Sequence, residues 1–350
     1  MKKVRYVIYV ITLCMIIFGC AENNPNKPKP PEPAWELLNF TLIDNGTAYE
    51  VSSDSTHATH IVIPSKYKGL PVTRIGNFAF RDFINLKNVY IPDSIIRIGD
   101  NAFWNCYSIT SVSMPNSVTS IGNAAFSRCF GLTDIKLSSN LQIIGNDVFS
   151  ICWKLTSIEL PNSLTYISHR AFSHCLSLTN VVIPNSVTWI YSFAFANCSS
   201  LATIDIPDSV TEIGTRAFSD CTSLTSLIIP DSVTHIRSGA FSNCVNLESV
   251  KLSDNLMLID AWTFWGCDSL TEIKIPRSVG VIREYALAGI RNLTSLYIPK
   301  NVIHIYDFVI YSNGSNLIIY AEAEENDPKS WSKNWNWSGY PVVWGATMPY

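Results

Sequence analysis

Ten cysteines and six histidines are the residues of this 350-residue chain with the most chemistry to offer. Thiolates act as nucleophiles, redox centres and soft metal ligands; imidazoles act as acid–base groups and metal ligands. The spacing argues against each use. Cys106, Cys129, Cys152, Cys175, Cys198, Cys221, Cys244 and Cys267 follow one another at intervals of 23 residues. That spacing lines thiols up one behind another, whereas structural zinc needs four converging ligands, and no histidine column accompanies them. The histidines are His57, His60, His169, His174, His235 and His304. His57 and His60 share a loop and His169 and His174 share one 23-residue interval, but neither pair has an acid beside it, so they read as surface residues. Carboxylates fall in different positions of the interval, without the paired arrangement of a glycosidase. No GxSxG, HExxH, GxxxxGK[ST] or GxGxxG run occurs. The expectation is a non-enzyme with no cofactor and no metal site.

The same interval governs the apolar residues. Phe80 recurs as Phe103, Phe126, Phe149, Phe172, Phe195, Phe218, Phe241 and Phe264, and Ile75 recurs through Ile305. A fixed period of 20–29 residues with Leu-x-x-Ile-x-Ile spacing predicts a leucine-rich repeat solenoid. One copy, residues 224–246, reads LTSLIIPDSVTHIRSGAFSNCVN. Its inward set is Leu224, Leu227, Ile229, Val233, Ile236, Ala240, Phe241 and Cys244. A coil with so few inward residues cannot close a core alone and must stack on its neighbours. The run Leu224 to Ile229 alternates as a short parallel strand should, and Pro230, which has no N–H to donate, ends it. Proline recurs at that position except at Ser138 and Ser253. Two residues later stands Ser or Asn, from Ser94 through Asn301, a side chain that can satisfy backbone groups at the turn. About ten strands at 4.7–4.9 Å give a stack on the order of 50 Å long.

Eight thiols in one column, one strand spacing apart, lie at the short end of the disulfide range, so bridging of neighbours stays open. The column continues as Phe83 before and Ile290 after. That exchange marks an apolar slot and favours buried reduced thiols acting as small hydrophobes.

The block IPDSVTEIGTRAFSDCTSL, Ile206 to Leu224, resembles the BspA-like leucine-rich repeat family of bacterial surface proteins, and the resemblance runs from about Phe40 to Trp344. IVIPSKYKGLPVTRIGNFAF, Ile61 to Phe80, is similar to the family's first repeat with a five-residue insertion. After Ile319 the period is expected to stop. The segment DPKSWSKNWNWSGYPVVWG resembles the family's C-terminal cap, which assigns Trp331, Trp335, Trp337 and Trp344 to cap core. The resemblance implies adhesion, matrix-protein binding or coaggregation, on a fold that by itself fixes no partner.

The first twenty residues read as an address. Lys2, Lys3 and Arg5 precede an almost wholly apolar run from Tyr6 to Phe18, the pattern of a secretory signal and too short to span a bilayer. Ile17-Phe18-Gly19-Cys20 resembles a bacterial lipobox, with Phe18 as a departure, and makes Cys20 the lipidation candidate; an ordinary signal peptide cut elsewhere is the alternative. Ala21 to Pro33 holds five prolines in thirteen residues, a tether of roughly 40 Å. The expected organisation is signal peptide 1–20, tether 21–33, N-terminal capping segment 34–71, solenoid 72–320 and Trp-rich cap 321–350. The chain is then exported and lipid-anchored to the cell membrane or outer membrane, exposed at the surface.

Charged residues are 15% of the chain, apolar ones 47%, and net charge is −3, which excludes a disordered chain and gives no nucleic-acid footprint. Function must then reside in the outward columns. On the first strand the outward column is mixed, from Tyr90 to Tyr297, and its flanks are mostly Ser and Thr. On the second segment it runs Arg97, Ser120, Ile143, Tyr166, Trp189, Glu212, His235, Leu258, Val281, His304. Tyr166 and Trp189 adjoin, Tyr191 and Phe193 follow, and with His235 they form the candidate partner-binding set, since exposed aromatics suit protein hot spots or stacking on sugar rings. Lateral packing along the wall is the bland alternative. The leading expectation is a surface adhesion scaffold binding host matrix or bacterial surface proteins, with glycans as a further partner class. The other is a structural or assembly protein of the envelope whose partners come from the same cell.

Overall fold

The computed structural model describes residues 35–325 and 330–347; the signal segment, Cys20 and the Pro-rich stretch lie outside them. The described residues form a β-solenoid of about thirteen stacked coils. Helix among them is confined to two three-residue turns, Trp35–Leu37 and Asp44–Gly46. Two parallel ladders run along the stack. The first extends from His60–Val62 to Val342–Trp344, and the second from Ala48–Ser52 to Ser330–Trp331. The strands are two to six residues long, because each coil must turn twice within 23 residues. Register is set by the buried aliphatics: Ile158 faces Val181 and Leu227 faces Val250 in the first ladder, and Ile167, Ile190, Ile213 and Ile236 align in the second. A one-residue slip would turn every one of them outward, so the register is strongly specified. At residues 203–205 the first ladder thins to a single bridge, Val182 to Asp205.

The centre of each coil is its phenylalanine. Phe80 to Phe264 form a continuous column with ring centroids 5.0–5.8 Å apart and planes within 19° of parallel. The eight cysteines are free and fully buried. Each thiol donates to the carbonyl of the phenylalanine one coil earlier, at 3.2–3.3 Å, from Cys106 on Phe80 to Cys267 on Phe241. Burial pushes the Cys106 and Cys175 thiols up to about 12 and the other six well above their ordinary range. A small side chain with a weak donor fits the slot between two coils, which is why cysteine recurs there.

A third rank of hydrogen bonds runs along the phenylalanine side. The N–H groups of Asn101, Phe103 and Asn105 donate to the carbonyls of Asn123, Ala125 and Ser127 in the next coil at 2.7–2.9 Å. The residues two before and two after the central apolar residue are left-handed in every coil from Phe78 and Asp82 to Phe308 and Ser312. Asn and Asp suit such positions, and Ile151, β-branched with φ 63°, does not.

The turn after the first strand differs from expectation in part. Ser163, Ser209 and Ser278 donate to the carbonyls of Leu141, Val187 and Leu256 in the preceding coil at 2.6–2.7 Å. The hydroxyls of Ser94, Ser117, Ser186 and Ser232 are buried without a partner. The turn holds without them because the backbone closes it, as Val118 N–H donating to Pro115 and Val233 N–H to Pro230 show. Where proline is absent, Ser138 and Ser253 accept from the Asn140 and Asn255 N–H groups. Those asparagines then donate to Asn116 and Asp231 one coil earlier.

Both ends are closed. At the N-terminal end Asn39–Ile43 pairs antiparallel with Ala48–Ser52, and the insertion folds as a hairpin, Lys66–Tyr67 against Leu70–Ile75. Phe40 stacks on Tyr67 at 3.9 Å over this end. At the other end the periodic pairing does not stop at Ile319: Ile319 faces Val342 and Ile305 faces Trp331, so the cap is itself a coil that extends both ladders. Trp331 donates through Nε1 to Val302 O and packs with Trp335 and Trp344. Trp337 departs from the cap-core expectation; it is 58% exposed and lies edge-on to Phe308, on the flank of the stack rather than over its end.

Three outcomes follow. The eight column thiols will be silent to a thiol reagent at neutral pH and all eight will react after denaturation without reductant, beyond any contribution from Cys14 and Cys20; a shortfall would reveal bridging. Because the folded-state pKa lies above the ordinary 9.0, the stabilisation is complete below pH 9 and is lost as pH rises toward 12. Each thiol removes about 1.4 kcal/mol per pH unit in that window, so unfolding followed by circular dichroism will be steep there. Replacing Ile151 by Asn, the residue of its own column at positions 105, 197 and 243, will stabilise the fold by about 1 kcal/mol. A denaturation midpoint that stays or falls would contradict the strain at that position.

Candidate binding surface

On the second ladder each strand buries one residue and shows the other. Ile167 and Ile190 are anchored in the core, so Tyr166 and Trp189, paired in register, stand side by side on the outer wall. Trp189 is 37% exposed. Tyr191 is the hub of the cluster: its ring meets Trp189 at 4.7 Å, Tyr166 edge-on at 5.7 Å and the His169 imidazole at 4.8 Å. The position it occupies follows the inward isoleucine and is glycine in five coils, Gly76, Gly99, Gly122, Gly145 and Gly214. At Gly214 a Cβ would stand 2.6 Å from the Ser192 nitrogen of the preceding coil, so a side chain is excluded there. The other coils hold Ser168, Tyr191, Arg237, Asp260, Arg283 and Tyr306 at this position, so Tyr191 is one of six side chains that replace the glycine.

The remaining members of the sequence-derived set are not part of this cluster. Phe193 occupies a left-handed position of the third rank, φ 61°, with the Arg170 guanidinium 5.2 Å over its ring. His235 lies in the same row as Trp189 but beyond Glu212, which pairs with Arg237 at 2.6 Å. That hydrogen bond raises the Arg237 pKa and keeps the guanidinium charged. His235 Nδ1 is 2.9 Å from Thr234 Oγ1. Near His169, burial raises the Asp147 carboxyl above its usual range, against the opposing charges of Arg170 and His169. Among the described residues no group of three or more His, Cys, Asp or Glu side chains could hold a metal ion. Nor is any described helix long and apolar enough to cross a membrane.

The threonine columns that flank the strands serve the stack. Thr133, Thr179 and Thr294 donate through Oγ1 to the carbonyls of Thr110, Thr156 and Thr271 one coil earlier at 3.0–3.1 Å, and Thr188 does the same to Thr165. Their composition reflects inter-coil bonding.

Comparison with known proteins agrees with the repeat. The family model described as the BspA type leucine rich repeat region matches residues 53–175, 142–268 and 188–319. The chain belongs to the BspA-type leucine-rich repeat family. A leucine-rich repeat protein from Bacteroides ovatus is 22% identical with a TM-score of 0.52, over 91% of this chain and 100% of that one. The pneumococcal vaccine antigen PcpA is 18% identical with a TM-score of 0.53, over 85% and 87%. A leucine-rich cell surface protein of Faecalibacterium prausnitzii is 26% identical with a TM-score of 0.49, over 93% and 100%. The first two share the fold. No curated protein matches the chain significantly.

This BspA-type solenoid carries two further aromatic rows that the reading of strand columns missed. Tyr107, Phe130 and Trp153 stack at 4.8 and 4.3 Å in the position after the column cysteine. Trp262, Tyr285 and Phe308 stack at 4.4 and 5.4 Å in a left-handed position of the third rank. The signal for both was the same 23-residue step, applied to columns outside the two strands.

Proposed function

We propose that the chain is an exported, lipid-anchored scaffold that binds protein partners at the cell surface through the outer wall of its second ladder. The observation that carries this reading is the Tyr191 cluster. Three rings from two successive coils are held in register on a rigid wall, where a partner can bury them at little ordering cost. Threonine hydroxyls beside the strands are engaged in the stack, so recognition falls to the aromatic row. Lys2, Lys3, Arg5 and the apolar run ending at Cys20 support export and acylation, and acyl chains contribute about 0.8 kcal/mol of anchoring per buried CH2.

Metabolic labelling with a fatty acid will tag the chain, and Cys20→Ser will abolish the tag; an untagged parent would remove the anchor from the proposal, and a tag that persists in the variant would move it off Cys20. Purified protein will bind saturably to components of a panel of extracellular matrix proteins and intact bacterial cells. Tyr166→Ala combined with Trp189→Ala will weaken that binding roughly tenfold while leaving the melting transition in place. Unaffected binding would move the site. Binding partners found only in the envelope of the producing cell would replace adhesion by a structural role.

A further inference from the structure

The position after the central apolar residue of each coil is small and buried through the middle of the stack: Ser127, Ser150, Ser173, Ala196, Ser219 and Ser242. It then becomes Trp265, returns to the buried Ala288, and becomes Tyr311. Two large rings, 37% and 42% exposed, thus stand two coils apart with a small residue between them. Two coil spacings are about 10 Å, which leaves room for one saturated six-membered ring in contact with an aromatic face on either side. The space is open: a cleft of ≈ 380 Å³ lies here.

Its floor is made by Gly266 and Gly289, both left-handed, in a column that elsewhere holds Asn, Asp, Arg, His, Ile or Ser. A Cβ on Gly289 would stand 3.6 Å from Trp265 Nε1, inside the cleft. Asp268 and Arg291 line it as an ion pair at 3.0 Å. Together they offer carboxylate acceptors and planar donors with no net charge, as paired hydroxyl groups require. Asn243 and Ser312 add neutral polar groups.

The walls are held from behind. Trp262 meets Trp265 edge-on at 5.8 Å, and Tyr311 meets Phe308 at 6.1 Å and Tyr285 at 6.5 Å. Trp262, Tyr285 and Phe308 occupy the left-handed position that every coil has, with φ between 56° and 63°. What sets this end of the stack apart is that three successive coils place stacked rings there, directly behind Trp265 and Tyr311. Trp104, in the same column as Trp265, is different: Arg81 and Arg128 cover its ring at 4.6 and 5.4 Å.

We infer that the cleft between Trp265 and Tyr311 binds a neutral pyranose unit of a glycan, the sugar ring packed between the two side chains and its hydroxyls held by Asp268 and Arg291. Apolar C–H faces with hydroxyls around the edge match aromatic walls with a polar, charge-balanced rim. The inference adds a second site and a ligand class to the scaffold reading and uses none of the Tyr191 cluster.

Affinity electrophoresis of the intact protein through gels containing soluble xylan, mixed-linkage β-glucan, starch or mannan tests it. At least one polysaccharide will retard the protein, and Trp265→Ala and Tyr311→Ala will each weaken retention roughly tenfold. Gly289→Asn, which fills the floor with a residue that tolerates the left-handed backbone, will do the same, whereas Trp153→Ala on another row will not. Because the two ring positions are exposed, their variants will melt with the parent. Absence of retardation in all four gels, or retention that survives all three cleft substitutions, overturns the site. If the protein panel is still bound in that case, only the glycan site falls; if neither class is bound, the scaffold reading falls with it.

Discussion

In seven successive coils, from Phe103 to Phe241, one carbonyl joins the coil to itself and to its neighbour. Phe103 O accepts the N–H of Cys106 within its own coil and the thiol of Cys129 from the next, and Phe126 O accepts from Cys129 and Cys152 in the same way. A buried carbonyl has two lone pairs to satisfy, and here both are met by cysteines 23 residues apart. The phenylalanine rings stack above the same node, so apolar burial and hydrogen bonding impose one spacing together. Adding or removing a residue would separate the thiol from its acceptor and the ring from its column. Length variation is therefore pushed to the two ends, where the hairpin at Lys66–Tyr67 and the longer step from Ile305 to Trp331 are found.

This constraint decides what a binding site in the protein can be. The coil path is fixed, so recognition has to come from substituting side chains within columns. Tyr191 occupies a glycine column, Trp265 and Tyr311 occupy a small-residue column, and Trp262, Tyr285 and Phe308 occupy left-handed positions where Asn or Gly would be cheaper. In each case recognition comes from a change of side chain on an unchanged backbone. The stack is stabilised by nearest-neighbour contacts over many coils, so a few locally costly residues are tolerated without loss of the fold.

Much of this was legible in the sequence, for a physical reason. A one-dimensional stack writes its core as columns, and Leu224, Leu227, Ile229, Val233, Ile236, Ala240, Phe241 and Cys244 are all buried as their spacing requires. The adjacency of Tyr166 and Trp189 followed from register alone. The third rank was not legible, because its left-handed positions are filled by Asn, Asp, Arg, Ile and Trp, and no glycine pattern announces them. Phe193 was misplaced for that reason, since it belongs to that rank. His235 was set apart by Glu212, whose pairing with Arg237 depends on the direction of side chains rather than on their order. The cleft at Gly266 and Gly289 also escaped notice, because it is defined by what two coils omit.

The linear arrangement has a mechanical corollary. Each coil touches only the coils on either side, so tension applied to the two ends loads the inter-coil contacts in series. A coil that gives way releases 23 residues, roughly 80 Å of extended chain at 3.3–3.6 Å per residue. Its neighbours keep their own contacts meanwhile. Under load the solenoid is expected to yield in steps, one coil length at a time.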